Sequence, residues 1–268
     1  MTHVRTTSDS ATLDVVATSV PVLEVFSTIQ GEGPRVGERQ VFVRLARCDL
    51  RCAFCDTPES YPTPATARIQ RSPHDEGDEH PTNPLTVAQL VAAVLRLDSP
   101  RGLHPTVSIT GGEPLLHPKA VKALGLALGA LKFRVHLETG GHRVGALETV
   151  LDAIDEATPD LKIASATGFP TPWDAHRDSY RLLDHAGKLL AIKAVVGGTT
   201  TEAEVAEAAK FAHEHGPSAP FVLQPVTEKV GGPPPPPGAL LLRLQAAAAR
   251  VHPAVRVIPQ SHKMLGLR

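Results

Sequence analysis

Gln40-Val-Phe-Val-Arg44-Leu-Ala-Arg-Cys48-Asp-Leu-Arg-Cys52-Ala-Phe-Cys55 begins as a strand and ends as a loop that carries every cysteine of the chain. Residues 40–45 are β-branched and apolar, and Gly37 supplies a turn residue just before them, so the segment reads as a buried strand. The spacing Cys48-x-x-x-Cys52-x-x-Cys55 puts three thiols on one short loop. A disulfide framework would use an even number of cysteines spread along the chain. Clustered thiols point instead to metal or redox chemistry. Three thiolates can wrap three corners of a cubic iron–sulfur cluster and leave the last iron open to a small molecule. Such clusters usually take four cysteines, and this chain has 3. Spacing alone leaves two other readings open. A tetrahedral zinc site would add one histidine, from His74, His80 or His104. Three buried thiols without a ligand are the other.

Downstream, strands and helices alternate. Strand 106–110 precedes helix 118–131, and strand 133–138 precedes helix 145–157. Strand 161–164 precedes helix 173–186, strand 189–196 precedes helix 201–214, and strand 220–224 precedes helix 239–251. A last strand covers 255–259. This alternation indicates an α/β fold with a parallel sheet and right-handed crossovers. With strand 40–45 the expected strands number about seven, which suits an open barrel better than a closed eightfold one. Thr86, with Gln89 three residues on and apolar Leu90, Val91, Val94 and Leu95, marks a further helix start. Cys48–Cys55, Gly111-Gly-Glu113 and Thr139-Gly-Gly141 each follow a strand directly. Loops after parallel strands share one face, and that face carries the site.

Residues 1–20 are expected to be a disordered tail and residues 21–268 the core domain, with order beginning near Val22. Residues 58–84 hold six prolines and a polar run from His74 to His80. They read as a long irregular excursion, either a lid or a disordered insertion. Residues 231–238 are a second insertion, a stiff polyproline spacer. A formal net charge of -1 gives no basic excess for nucleic acid and no basic stretch for a membrane surface. No apolar run approaches the ~20 residues that span a bilayer. The N-terminus lacks the apolar core of a signal peptide. The expectation is a cytoplasmic protein.

Arg44 to Thr57, with the aromatic Phe54 before the last cysteine, resembles the cluster motif of the radical S-adenosylmethionine (SAM) superfamily. Ser108-Ile-Thr110-Gly-Gly-Glu-Pro114 resembles that superfamily's GGE signature, whose backbone binds the amino group of SAM. By itself Gly-Gly-Glu-Pro is also compatible with an ordinary turn. A narrower resemblance runs from about Glu24 to the end of the chain. Glu24-Val-Phe-Ser-Thr-Ile-Gln30-Gly-Glu-Gly33, Phe42-Val-Arg44-Leu, Cys55-Asp-Thr57 and Glu138-Thr-Gly-Gly141 are similar to the 7-carboxy-7-deazaguanine synthase family. So are Leu223-Gln-Pro225 and Val257-Ile-Pro-Gln260-Ser-His262-Lys263.

The resemblance implies an incomplete, open (β/α)6-type radical SAM barrel. It implies a lyase that converts 6-carboxy-5,6,7,8-tetrahydropterin to 7-carboxy-7-deazaguanine with loss of ammonia, in 7-deazapurine (queuosine-type) biosynthesis. The implied cofactors are a 4Fe–4S cluster, SAM and Mg2+. The implied partners are the small pterin, an electron donor such as flavodoxin or ferredoxin, and a second copy in a homodimer. Carried over residue by residue, Cys48, Cys52 and Cys55 hold the cluster and Thr57 binds magnesium. Ile29, Gln30, Gly31, Arg44 and Thr110 bind substrate. Gly112, Glu138, Thr158, Pro159 and Asp160 bind SAM. Arg44 has an independent rationale, because a guanidinium suits a carboxylate bidentately; an ion pair at the surface is the bland alternative. The family has Ser-Pro-Lys where this chain has Thr158-Pro159-Asp160, which leaves the SAM contact open between Asp160 and Lys162. His262 and Lys263 either face the substrate or dock the C-terminus. The rival activity is a radical SAM activase that places a glycyl radical on a partner protein.

Overall fold

Strand β3 (Arg39–Leu45) shows how the sequence builds the molecule. Val41, Val43 and Leu45 are fully buried on one face, while Gln40, Phe42 and Arg44 occupy the other. A period of two on a strand buried on both sides places apolar residues under helices and the alternate set inside the barrel. The same division recurs in β7 (Thr106–Gly111), β8 (Arg134–Thr139) and β9 (Glu156–Pro159). Val107, Ile109, Val135, Leu137 and Ala157 pack outward into the core; Ser108, Thr110, His136, Glu138 and Thr158 turn inward. The interior is therefore polar, as a site must be.

The computed structural model describes residues 18–268. Strands β3, β7, β8 and β9 are parallel neighbours. A second parallel sheet follows, with β10 (Ile192–Val196), β11 (Phe221–Pro225) and β12 (Val255–Val257). Parallel bridges Ala157↔Leu189 and Asp160↔Lys193 stitch β9 to β10. Helices follow the strands in turn: α1 (Val87–Leu97), α2 (Pro118–Ala130), α3 (Val144–Val150), α4 (Ala164–Thr167), α5 (Trp173–His185), α6 (Glu202–His215) and α7 (Gly238–Ala249). Six β/α units and a closing strand thus form an open partial barrel, as expected.

The helix starts follow local chemistry. Thr86 Oγ1 accepts from Gln89 N at 3.2 Å while Gln89 Oε1 accepts from Thr86 N at 2.8 Å, a complete capping box at α1. Thr201 Oγ1 caps α6 by accepting from Glu204 N at 3.2 Å, and the acidic residues Glu202 and Glu204 suit the positive end of that helix.

Several expected boundaries are corrected. The helix expected over 145–157 ends at Val150, followed by a turn at Leu151–Ala153. The strand expected at 161–164 lies at Glu156–Pro159, and Ala164 opens α4. Asp155 decides this. Its N donates to Val135 O at 2.9 Å and its carboxylate accepts from Val135 N at 2.7 Å, so pairing with β8 overrides the helical period of 145–157. Strand β10 starts at Ile192 rather than 189. Residues 58–84 are not irregular throughout. They contain a hairpin of β4 (Arg68–Ser72) and β5 (Asp75–Glu79), with Pro73 in its turn. It extends the sheet beyond β2 (Val22–Ile29), an antiparallel partner of β3 that alternation did not reveal. Of the tail expected over 1–20, residues 1–17 lie outside the described residues. Ser19–Val20 is a strand, β1, paired with β6 (Leu85–Thr86). The last helix is α8 (Ser261–Met264).

Candidate active site

A cavity of about 780 Å³ opens at the C-terminal ends of the parallel strands. All three cysteines line it, as do Gly111, Gly112 and Glu113 after β7 and Thr139 and Gly140 after β8. The three loops meet as expected, and backbone bonds fasten them. Gly112 N donates to Leu45 O at 3.2 Å and Glu113 N to Arg47 O at 2.9 Å. A Cβ on Gly112 would lie 2.3 Å from Arg47 O and 2.8 Å from Cys48 Cβ, so only glycine lets these loops approach. Glu113, which sequence reasoning left without a role, is buried. It accepts from Leu115 N at 2.9 Å, Thr139 Oγ1 at 2.8 Å and Gly140 N at 2.8 Å.

The cysteines are half-buried and free. Burial pushes the Cys48 thiol up and that of Cys52 up to about 11, against the pull of the nearby Lys162 ammonium. Thiolates here therefore need a compensating metal. Arg51 Nη1 donates to Cys48 O at 2.8 Å and Lys229 Nζ donates to Cys55 O, which pins both ends of the loop. Among the described residues no three His, Cys, Asp or Glu side chains are gathered closely enough to hold a single metal ion. Of the three histidines a zinc site could use, His104 is committed elsewhere, to Ser27 Oγ at 2.7 Å and Asp98 at 3.3 Å. His74 does not line the cavity, and His80 does. Three thiols on one loop facing a cavity suit an iron–sulfur cluster with an open corner.

Ile29, Gln30, Gly31, Arg44, Thr110, Thr57, Gly112, Glu138, Thr158 and Asp160 all line this one cavity. Pro159 does not; it closes the β8–β9 ladder opposite Thr139. Gln30 Nε2 donates to Glu138 Oε1 at 2.9 Å. Arg44 Nε donates to Glu24 Oε1 at 3.0 Å. Below them Ser108 Oγ and Thr158 Oγ1 each lie 2.9 Å from the ring of His136, which burial keeps neutral. Thr57 Oγ1 donates to Asp56 at 3.0 Å. Burial works to raise the Asp56 carboxyl, but Lys263, Gln260 and Arg44 outweigh it and hold the group well below the usual carboxylate range.

The geometry brings together a chain of buried charges that the sequence did not announce. Lys162 Nζ lies 2.6 Å from Asp160, Lys193 Nζ 3.3 Å from Asp160, and Lys193 Nζ 2.5 Å from Glu32. Gln260 Nε2 then bridges Glu32 and Asp56, at 2.8 Å to each. Burial opposes every charge in the chain, and the opposite neighbours restore it: the lysine ammoniums are held above and the carboxyls below their ordinary values. The signal that could have found Lys193 is its polar place within the apolar run of β10. His262 and Lys263 line the cavity, and Ser261 N donates to Gly31 O at 3.0 Å, so the C-terminal segment both docks and faces the site.

The family model of the radical SAM superfamily matches residues 43–225. Over 246 residues the chain is 37% identical to a 7-carboxy-7-deazaguanine synthase of Geobacter sulfurreducens, covering 91% of this chain and 96% of that one. The chain belongs to the 7-carboxy-7-deazaguanine synthase family. A second member of this synthase family, from Thermococcus kodakarensis, is 36% identical over 77% of this chain and 83% of its own length. The fold is shared with the crystal structure of QueE from Escherichia coli, at a TM-score of 0.57 and 20% identity, over 92% of this chain and 97% of that one. As a radical SAM protein the chain calls for an iron–sulfur cluster and SAM. These relatives favour a synthase over the activase. Among the described residues no helix is long and apolar enough to cross a membrane.

Proposed function

We propose that this chain is a radical SAM lyase that converts 6-carboxy-5,6,7,8-tetrahydropterin to 7-carboxy-7-deazaguanine with loss of ammonia, for 7-deazapurine biosynthesis. The observation that carries this reading is Arg44. Its Nε edge is spent on Glu24, while its side chain lines the same cavity as the three thiols. A guanidinium whose terminal nitrogens make no hydrogen bond among the described residues suits a substrate carboxylate.

Cys48, Cys52 and Cys55 would hold a 4Fe–4S cluster, which supplies the electron for reductive cleavage of SAM. SAM would lie across Gly112, Glu138, Thr158 and Asp160, with Pro159 shaping the strand end and Lys162 close by. Ile29, Gln30 and Gly31 would orient the pterin, with Thr110 and Arg44 at its carboxylate. Thr57 would offer its hydroxyl to a magnesium ion that also takes substrate oxygen and water, a normal arrangement for that hard cation. The polar lining replaces water around the bound pair, and the apolar outer layer keeps the lining rigid. A cytoplasmic setting, a homodimer and a flavodoxin or ferredoxin as donor complete the reading.

The test is direct. Anaerobically reconstituted protein is incubated with 6-carboxytetrahydropterin, SAM, magnesium and dithionite, and products are identified by mass. A product at the mass of the deazapurine acid supports the proposal. Release of ammonia without that product, or the same yield of product when SAM is left out, sinks it.

A further inference from the structure

Four side chains stand in one row across four adjacent strands: Arg68 is opposite Glu24, Glu24 opposite Arg44, and Arg44 opposite Thr110. All four line the cavity. The resemblance to the synthase family assigned roles only to Arg44 and Thr110. Glu24 and Arg68 extend the row, and Arg68 comes from the hairpin in the insertion 58–84. Glu24 is 5% exposed, and its two oxygens are divided between two guanidiniums, Arg44 Nε at 3.0 Å and Arg68 Nη2 at 2.8 Å.

We infer that Arg68 is a positioning and specificity residue for the substrate carboxylate, acting through Glu24; this rests on Arg44 being the carboxylate anchor. The physics is charge counting in a partly buried site. A lone Glu24–Arg44 pair is neutral and closed. It would give an incoming anion no net attraction, and the buried Glu24 would repel it. A second guanidinium on the far oxygen of Glu24 leaves the trio with one net positive charge. Arg68 also draws the carboxylate toward the hairpin side. The terminal nitrogens of Arg44 make no hydrogen bond among the described residues, so the surplus charge is presented where a ligand can reach it. Glu24 and Arg44 are largely buried, at 7% and 20% side-chain exposure, so their charges are weakly screened, while Arg68 reaches Glu24 from a side chain that is 46% exposed. Arg68 thus discriminates a carboxylated pterin from an uncarboxylated one without touching either.

The experiment measures binding of 6-carboxypterin and of pterin to the reconstituted holoenzyme by fluorescence, together with KM and kcat for the proposed reaction. Wild type prefers 6-carboxypterin. Arg68→Ala lowers that preference about tenfold, leaves pterin affinity unchanged, and puts its effect on KM rather than kcat. Arg68→Lys keeps most of the preference. The double variant Glu24→Gln with Arg68→Ala recovers it, because a neutral amide no longer cancels Arg44. A purely structural role of Arg68 in holding the hairpin predicts no such recovery. A preference unchanged in Arg68→Ala, or not recovered in the double variant, overturns the inference and leaves the proposed function standing. A wild-type enzyme with no preference at all overturns the anchor role of Arg44 and the inference with it.

Discussion

The carboxylate of Glu113 accepts the backbone N–H of Gly140 at 2.8 Å, so the loop after β7 carries the loop after β8. The same carboxylate accepts from Leu115 N and Thr139 Oγ1, and the residue is 1% exposed. Glu113→Gln keeps the shape but turns an amide N–H₂ toward donors, leaving at least one buried N–H unpaired. The expected loss is about 1–3 kcal/mol of stability, read by chemical denaturation, with weaker SAM binding read by equilibrium dialysis. Unchanged values for both would mean that water already satisfies these donors.

Gly112 sets how closely the cysteine loop can be approached. Gly112→Ala puts a methyl 2.3 Å from Arg47 O and 2.8 Å from Cys48 Cβ, and neither backbone nor loop can yield cheaply. Overpacking of this kind costs about 1–3 kcal/mol, and here it falls on the thiols. Iron and acid-labile sulfide per chain after reconstitution should drop. Gly145→Ala is the matched control: its Cβ would meet nothing within 4 Å, and it should retain full iron while stabilising α3 by about 0.4–1 kcal/mol.

The parts of the site readable in the sequence are those whose chemistry is local. Cys48, Cys52 and Cys55 declare themselves by spacing, and Gly111-Gly-Glu113 by its place after a strand. Thr86 and Gln89 encode a helix start within four residues. What escaped reading is set by pairing between distant segments. Arg68 meets Glu24 only because β4 adds to β2, 44 residues away in sequence. Lys193 reaches Glu32 across 161 residues. The fourth parallel strand is hidden for the same reason: Glu156-Ala-Thr-Pro159 has little β-propensity of its own, and Asp155 and the β8 edge decide where it begins.

His176 should make the fold sensitive to acid. Burial, against the hydrogen bond to Gly141 O, pushes its imidazole down to about 3. Its Nε2 accepts from Lys162 N at 3.1 Å, so Nδ1 carries the proton given to Gly141 O, also at 3.1 Å. The folded value lies below the ordinary 6.5. The unfolded chain therefore binds the extra proton first. Stability from this group is complete above about pH 6.5 and is lost at roughly 1.4 kcal/mol per pH unit below it. Denaturation midpoints measured from pH 7.5 to 4.5 should fall in wild type and fall less steeply in His176→Gln. Parallel curves for the two proteins would rule this out.

Asp160 and Lys162 should separate by the kind of loss their removal causes. Both oxygens of Asp160 are taken, by Lys162 at 2.6 Å and Lys193 at 3.3 Å, which leaves the carboxylate little to offer a ligand. Lys162 has Asp160 as its ion-pair partner, sits 5.1 Å from the Phe54 ring in the cysteine loop, and lines the cavity. Asp160→Ala strips two buried ammoniums of a counter-charge, and breaking such a group costs about 3–5 kcal/mol of stability. Lys162→Met keeps the stem and removes the charge that a SAM carboxylate would meet, so SAM affinity should fall about tenfold while the denaturation midpoint moves less than in Asp160→Ala. Equilibrium binding of SAM to the reconstituted variants, paired with denaturant titration, decides between the two residues. A larger affinity loss in Asp160→Ala than in Lys162→Met, at equal folded fraction, would assign the contact to the carboxylate instead.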